Sequence, residues 1–136
     1  MNAYVYLLRL LGISSTLENL SIVKIGIGEY SFTTVVIETA ETVDYLKIDN
    51  EINVLFKETE VLICLKPCPK ISLQNRIDCK IHEILKGKLL SQINMKSNIG
   101  EIKSIITSNA VDQLKLKVDD EVIAMIKTNE IMLQHD

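Results

Sequence analysis

Residues 116–122 of the chain read LKVDDEV, and residues 46–52, at an offset of 70, read LKIDNEI. The likeness continues downstream, where FKETEVL at 56–62 is matched by IKTNEIM at 126–132. Self-similarity at a fixed offset is the signature of a repeated structural unit. The sequence therefore predicts a fold built from two tandem units of similar structure.

The boundary between the units follows from the loops. VDYLK at 43–47 resembles VDQLK at 111–115 at an offset of 68, so a two-residue difference in one loop reconciles the two offsets. The joint is KPCPK at 66–70, where two prolines disfavour both a helix and a central strand. The predicted units are 1–66 and 70–136, each about 65 residues and the size of a minimal folding domain.

Apolar residues within each unit mostly alternate with a period of two, which is typical of strands. The predicted strand segments are 22–27, 33–37, 52–65, 77–84, 89–95, 102–107 and 121–133. Each unit has one short helical patch, at 40–46 and at 108–116. This succession predicts an all-β protein of two tandem small five-stranded OB-like β-barrels, each with one short helix. Because such a unit buries little surface alone, we expect close mutual packing or oligomerisation.

The composition is that of a chain that buries a core without a basic surface. Of its 136 residues 47% are hydrophobic and 24% charged, the formal charge is −3, and there is no Trp. A basic nucleic-acid face and base stacking are therefore both disfavoured. No apolar run reaches the ~18 residues of a membrane span. The apolar start, Met1–Gly12, lacks the basic region and cleavage site of a signal peptide. We expect a cytoplasmic protein without nucleic-acid or membrane partners.

Residue types that carry catalysis or bind metals are few. Cys64, Cys68 and Cys79 form no C-x-x-C pair, and Cys64 and Cys68 with His82 match no zinc spacing, so neither a disulfide framework nor a metal site is indicated. The sequence has two His and no Ser/His/Asp set or pair of catalytic carboxylates. We therefore predict that the protein is not an enzyme.

The second unit carries an ordered set of motifs. It reads SLQNRI at 72–77, IIT at 105–107, LKLKVDDEV at 114–122 and IKT at 126–128. In order and spacing this resembles the molybdate-binding Mop (molbindin, or TOBE) domain, whose pattern runs S-A-R-N, then I-T, then L-x-L-x-x-G-D-x-V and I-K-A. The resemblance spans nearly all of 70–134. With the first unit as a weaker copy, the whole chain resembles a tandem molbindin.

The resemblance also implies which side chains bind the anion. A tetrahedral dianion needs several fixed hydrogen-bond donors and one or two cations in a dry concavity. The implied oxyanion-binding residues are Ser72, Gln74, Asn75, Arg76, Thr107, Lys127 and Thr128 in the second unit, and Thr39 and Lys57 in the first. The resemblance places the site where subunits or repeats meet, with the lysine coming from a neighbouring barrel. From the residues alone, the lysines also fit solvated strand ends, and Ser72 and Thr107 also fit turn residues.

The chain departs from the family pattern in both units. Gln74 stands where the motif has Arg, although Arg76 follows two residues later. The first unit has no counterpart of the motif Ser or Arg, and Glu58, a carboxylate that would repel a dianion, follows Lys57. Residues 1–68 carry 5 Lys and Arg against 9 Asp and Glu, whereas residues 69–136 carry 10 against 9. The better oxyanion site is therefore expected in the second unit.

The resemblance implies that the protein binds molybdate or tungstate, without an organic cofactor, for storage, homeostasis or delivery. It further implies a homo-oligomer, a trimer of tandem chains. One alternative is a regulatory or interaction module of a molybdate transporter or molybdate-responsive regulator, acting through a partner subunit. The other is a barrel that binds nucleic acid, which the acidic first half and the scarcity of aromatic residues disfavour.

Overall fold

The computed structural model describes residues 3–15, 21–27, 30–36, 51–67 and 70–134, which are mostly β. The strands of the first half are β1 (Ala3–Ser15), β2 (Ser21–Ile27), β3 (Tyr30–Val36), β4 (Glu51–Lys57) and β5 (Leu62–Leu65), with a 3-10 turn, η1 (Glu58–Glu60), between the last two. Those of the second half are β6 (Asn75–Lys86), β7 (Leu90–Ser97), β8 (Gly100–Thr107), β9 (Glu121–Ile126) and β10 (Met132–Gln134). Helix α1 (Ser108–Leu114) follows β8, and a second 3-10 turn, η2 (Thr128–Glu130), separates β9 from β10.

The strands form two five-stranded antiparallel sheets of corresponding order. The first sheet runs β10-β4-β1-β2-β3 and the second runs β5-β9-β6-β7-β8. Each half therefore gives its last strand to the sheet of the other half. In register, Met132 of β10 lies opposite Leu55 of β4, and Leu62 of β5 lies opposite Met125 of β9. The two halves are joined by a reciprocal exchange of strands.

This exchange corrects the prediction of single strands over 52–65 and 121–133. Each segment is broken by its 3-10 turn, and the piece after the turn pairs in the other sheet. The residues that follow the turns, Val61 and Ile131, are 1% and 4% exposed, so burial of an apolar side chain accompanies each crossing. Apolar alternation continues through the turns, which is why the pattern alone did not show the break.

The structure also bears on the apolar start of the chain and on the two predicted helical patches. No strand is predicted before residue 22, whereas the apolar start contains β1, a 13-residue strand with an irregularity in its pairing between Leu10 and Gly12. The helix predicted at 108–116 is confirmed as α1, whereas the patch predicted at 40–46 lies outside the described residues.

Alternate residues of the strands face one core shared by both halves. In β4 the inward residues are Ile52, Val54 and Phe56, and in β6 they include Ile77 and Ile81, all at most 2% exposed. These side chains belong to a single apolar cluster. Each fully buried side chain of this size contributes about 1.5–3 kcal/mol relative to an exposed one. No helix among the described residues has the length and apolar character needed to cross a membrane.

Candidate functional site

The start of β6 and the end of β9 lie at the same end of the second sheet. Asn75, the first residue of β6, pairs with Ile126, the last residue of β9. The antiparallel register therefore brings the segment before β6, with Ser72 and Gln74, beside Lys127 and Thr128, which follow β9. Four of the predicted oxyanion-binding residues thus share one end of the sheet.

These four side chains differ in exposure. Ser72, Gln74 and Lys127 are exposed, and Thr128 is half-buried as the first residue of η2. The Thr128 carbonyl accepts a hydrogen bond from Thr34 Oγ1 at 3.1 Å, so the first half of the chain holds the turn in place. The arrangement presents a hydroxyl, an amide and an ammonium group to solvent beside a fixed turn.

Arg76 shapes the loop that carries Ser72. Its Nε donates to the Leu73 carbonyl and its Nη2 to the Ile71 carbonyl, each at 2.8 Å. Arg76 is half-buried, and two of its five N–H donors are used in these bonds. The guanidinium acts on the segment 71–73 as a clamp and retains donors for a further partner.

The side-chain amide of Asn75 is buried and hydrogen-bonded within the protein. Its side chain is 0% exposed, its Oδ1 accepts from the Thr33 backbone N–H at 2.6 Å, and its Nδ2 donates to the Thr33 carbonyl at 2.8 Å. These two bonds tie β6 of the second sheet to β3 of the first. Asn75 therefore supports the site by joining the sheets, with its amide turned away from solvent.

Thr107 lies at the other end of the second sheet. It pairs with Leu90, and its Oγ1 accepts from the Ala110 backbone N–H at 3.1 Å as the N-cap of α1. Strand β6 spans the sheet from Asn75 to Lys86, roughly 35 Å of extended chain. Within one chain the structure does not bring Thr107 to Lys127.

The strand exchange instead sets β8 beside the first 3-10 turn. Strand β8 contacts η1, and Ser104 Oγ donates to the Val61 carbonyl at 2.6 Å. Lys57, which precedes η1, is exposed at the end of β4, whereas Glu58 is only 6% exposed. Thr39, the matching threonine of the first unit, lies outside the described residues.

Sequence reasoning missed the residues that brace the two turns. Thr34 Oγ1 donates to the Ile131 carbonyl at 2.8 Å, as Ser104 Oγ does to the Val61 carbonyl at 2.6 Å, and both side chains are 0% exposed. Donors and acceptors are each 70 positions apart, which is the offset of the repeat. A hydroxyl at both positions of an otherwise apolar alternation is the signal that would have found them.

Apolar side chains are exposed around Thr107. Leu89, Leu90, Leu85 and Leu114 are 78%, 57%, 51% and 37% exposed, and a cleft of about 590 Å³ lies against the hairpin of β6 and β7. We call this group of four leucines the leucine face. Sequence reasoning did not single it out, because surface exposure has no local signature.

The described residues contain no group of three or more His, Cys, Asp or Glu side chains arranged to hold a metal ion. Cys64 is half-buried and Cys79 is buried, and both are free thiols. Cys68 lies outside the described residues.

Comparison with known proteins finds a family similarity in the second half and a structural similarity along the whole chain. Residues 71–133 match the family model of the TOBE domain, which confirms the resemblance of the second unit. No curated protein sequence matches the chain. A solved structure of the cytoplasmic molybdate-binding protein ModG, in a PEG-grown form with molybdate bound, superposes with a TM-score of 0.86 at 22% identity. The superposition covers 98% of this chain and 96% of the ModG chain, so the two share a fold.

Proposed function

We propose that this protein binds molybdate or tungstate in the cytoplasm and stores or delivers the anion without converting it. The observation that carries the proposal is the TOBE match over 71–133 in a chain that shares its fold with ModG along nearly its whole length. We further propose that the chain is a tandem protein of two OB-like barrels, built mainly from residues 1–66 and 70–136, with the last strand of each half exchanged. The corresponding strand order of the two sheets supports two similar barrels.

The principal site is proposed at the end of the second sheet where Ser72, Gln74, Lys127 and Thr128 lie. A dianion there receives hydroxyl and amide hydrogen bonds and the charge of the Lys127 ammonium group. Charge-assisted bonds of this kind are about twice as strong as neutral ones. The clamped loop keeps the donors in place before the ligand arrives, which lowers the entropy cost of binding.

We propose that the site is completed by a second copy of the chain. Thr107 is part of the implied ligand set, yet it lies at the far end of the sheet and beside the leucine face. A copy that docks on the leucine face buries these side chains and brings its own Lys127 end to Thr107. Such a head-to-tail contact closes into a ring, and a trimer is the assembly that the resemblance implies.

The first unit is proposed as the weaker site. Lys57 offers the matching ammonium group, but the next residue is Glu58, whose carboxylate opposes a dianion. Thr128 takes the corresponding position in the second unit and can donate a hydrogen bond. Thr39 and Lys57 are therefore expected to bind the anion less tightly than Thr107 and Lys127.

Isothermal titration calorimetry with molybdate, tungstate and sulfate tests the proposal. We expect saturable binding of the first two anions at micromolar concentrations, and at least tenfold weaker molybdate binding by Lys127→Ala. Lys117→Ala, which removes an exposed ammonium group elsewhere, is the matched control and should bind as the wild type does. An absence of saturable molybdate binding by the wild type would refute the ligand assignment.

Mixed oligomers test whether the site is composite. Chains with Thr107→Val and chains with Lys127→Ala each lack one partner at every interface. When equal amounts are refolded together, about a quarter of the interfaces combine intact Thr107 with intact Lys127. Recovery of that share of the wild-type sites is expected, and no recovery would show that both residues act within one chain or that one of them is not a ligand.

A further inference from the structure

Two lysines lie side by side on the outer face of the second sheet. Lys80 of β6 is directly opposite Lys96 of β7, and both side chains are exposed. Neither ammonium group forms a hydrogen bond or an ion pair with any residue that the structure describes. Like charges directly opposite one another on adjacent strands destabilise a sheet, so an anion between the two ammonium groups would reduce their mutual repulsion.

A cleft of about 300 Å³ adjoins this lysine pair. The charges of two other groups in the cleft neutralise one another, because Lys66 Nζ lies 3.1 Å from Asp78 Oδ1. The Ser97 hydroxyl already has two hydrogen-bond partners within the protein, since its Oγ donates to the Gly100 carbonyl and accepts from the Ile99 N–H. The exposed Asn98, at the turn between β7 and β8, adds a neutral polar side chain with two N–H donors.

One carboxylate limits the positive charge of the cleft. Glu121 pairs in register with Lys80 on the side away from Lys96, and it also lines the cleft. Glu101 pairs in register with Lys96 on its other side, and its carboxylate lies 3.6 Å from Lys103 Nζ. The two lysines and Glu121 therefore leave one net positive charge, with the Lys66–Asp78 and Glu101–Lys103 pairs neutral. This charge favours an anion, and the exposure of the lysines makes the interaction weak and sensitive to salt.

We propose that the cleft is a second anion site, in which Lys80, Lys96 and Asn98 bind a small tetrahedral dianion of the phosphate type. The site lies at the opposite end of β9 from the one proposed for molybdate, because Glu121 is the first residue of β9 and Lys127 follows its last. The proposal stands independently of molybdate binding, since no residue belongs to both sites.

The test is a titration of ¹⁵N-labelled protein with inorganic phosphate, followed by NMR at constant ionic strength maintained with chloride. We expect the amide signals of Lys96 and Asn98 to shift and saturate in the millimolar range. A parallel titration with adenosine monophosphate distinguishes a free anion from a phosphate monoester, because the tighter of the two identifies the source. If neither probe saturates these signals, the proposal is wrong.

Charge-neutralising variants locate the anion. Lys80→Gln and Lys96→Gln should each weaken phosphate binding at least threefold, and Glu121→Gln should strengthen it by a similar factor. Lys117→Gln makes the same charge change as the lysine variants outside the cleft and should have no effect. A Lys117→Gln loss equal to that of Lys80→Gln would show general charge attraction and overturn the site. Lys127→Ala should leave the phosphate response unchanged, which separates this site from the one proposed for molybdate.

Discussion

Asn75 shows how a residue of a binding motif serves the fold. Its amide group satisfies both the N–H and the carbonyl of Thr33, at 2.6 and 2.8 Å, from a fully buried position. A hydrophobic side chain of similar size would leave both backbone groups without a partner in the interior. The motif Asn is therefore a positioning residue that joins the two sheets behind the Ser72 loop.

Replacing Asn75 with Ala should reduce the free energy of unfolding by about 2–4 kcal/mol. Two hydrogen bonds are lost, and two buried backbone groups remain unsatisfied. Urea denaturation followed by circular dichroism measures the change. Gln74→Ala, one residue earlier and exposed, is the control and should alter stability by less than ~0.5 kcal/mol. Equal effects for the two variants would contradict the role assigned to the Asn75 amide.

Burial raises the pKa of the Cys79 thiol from 9.0 to about 12. The unfolded thiol loses its proton above pH 9, whereas the folded thiol keeps it until about pH 12. The unfolded state therefore binds fewer protons in this window, and stability falls as the pH rises, by up to about 1.4 kcal/mol per pH unit.

The pH dependence of unfolding measures this contribution. The free energy of unfolding plotted against pH from 8 to 10.5 should fall more steeply in the wild type than in Cys79→Ala, because only the wild type carries the thiol. The variant also controls for the lysines, which titrate in both proteins. Parallel curves would show that Cys79 titrates alike in the folded and unfolded states.

At the scale of elements, helix α1 is capped by Thr107, which the family resemblance also implies as an oxyanion ligand. Thr107 Oγ1 accepts the Ala110 N–H, and α1 has only seven residues, so one cap is a large share of its end stabilisation. At the other end Lys115 adopts a left-handed conformation with φ 52°, and its N–H donates to the Asp112 carbonyl.

Thr107→Ala should lower stability by about 1 kcal/mol, whereas Thr107→Ser keeps the hydroxyl and should cost much less. Thermal unfolding of the two variants checks the difference. If Thr107→Ser destabilises as much as Thr107→Ala, the methyl group rather than the cap is responsible. In molybdate calorimetry Thr107→Ser, which keeps the hydroxyl, should bind as the wild type does, and Thr107→Ala, which lacks it, should bind more weakly.

The exchanged strands, β5 and β10, are the elements that join the two halves of the chain. Each is short, with β5 having four residues and β10 three, and each is reached through a 3-10 turn. Thr34 and Ser104 brace these crossings by donating to the carbonyls of Ile131 and Val61. Short strands gain little from pairing alone, so the buried side chains and hydroxyl bonds at the crossings supply the specificity.

At the scale of the whole molecule, the exchange makes the two halves mutually dependent. One apolar cluster contains side chains of both sheets, and each sheet ends on a strand from the other half. A unit of about 65 residues buries a smaller fraction of its surface than a larger domain does and is marginally stable even when complete. Removing one strand and its turn takes away part of that core.

Produced separately, fragments 1–68 and 70–136 should therefore not fold as monomers. We expect each to be unfolded or to self-associate, and mixing them to restore a 1:1 complex with the circular dichroism of the full chain. Size-exclusion chromatography with light scattering measures the species. A folded, monomeric 70–136 fragment would contradict the mutual dependence of the halves.

Much of this architecture was predictable from the sequence, and the features that were not predictable all depend on contacts between distant residues. The repeat could be read as an offset of 70, the strand alternation and helix α1 as local patterns, and the TOBE-like character of residues 71–133 as an order of motifs. The candidate site was predictable as a set of residues but not as a geometry. The motifs do not show that Asn75 is buried or that Thr107 lies far from Lys127.

Periodicity and motif order are properties of the sequence, and they are sufficient to predict a β protein with a duplicated pattern and a TOBE-like second half. The sheet that receives the strand after each 3-10 turn, and hence which threonines and lysines are neighbours, is visible in the tertiary structure alone. Those outcomes depend on pairings between residues tens of positions apart, where the same alternating strand can pair with either sheet. The apolar side chains that become buried where the chain passes from one sheet to the other determine which pairing forms.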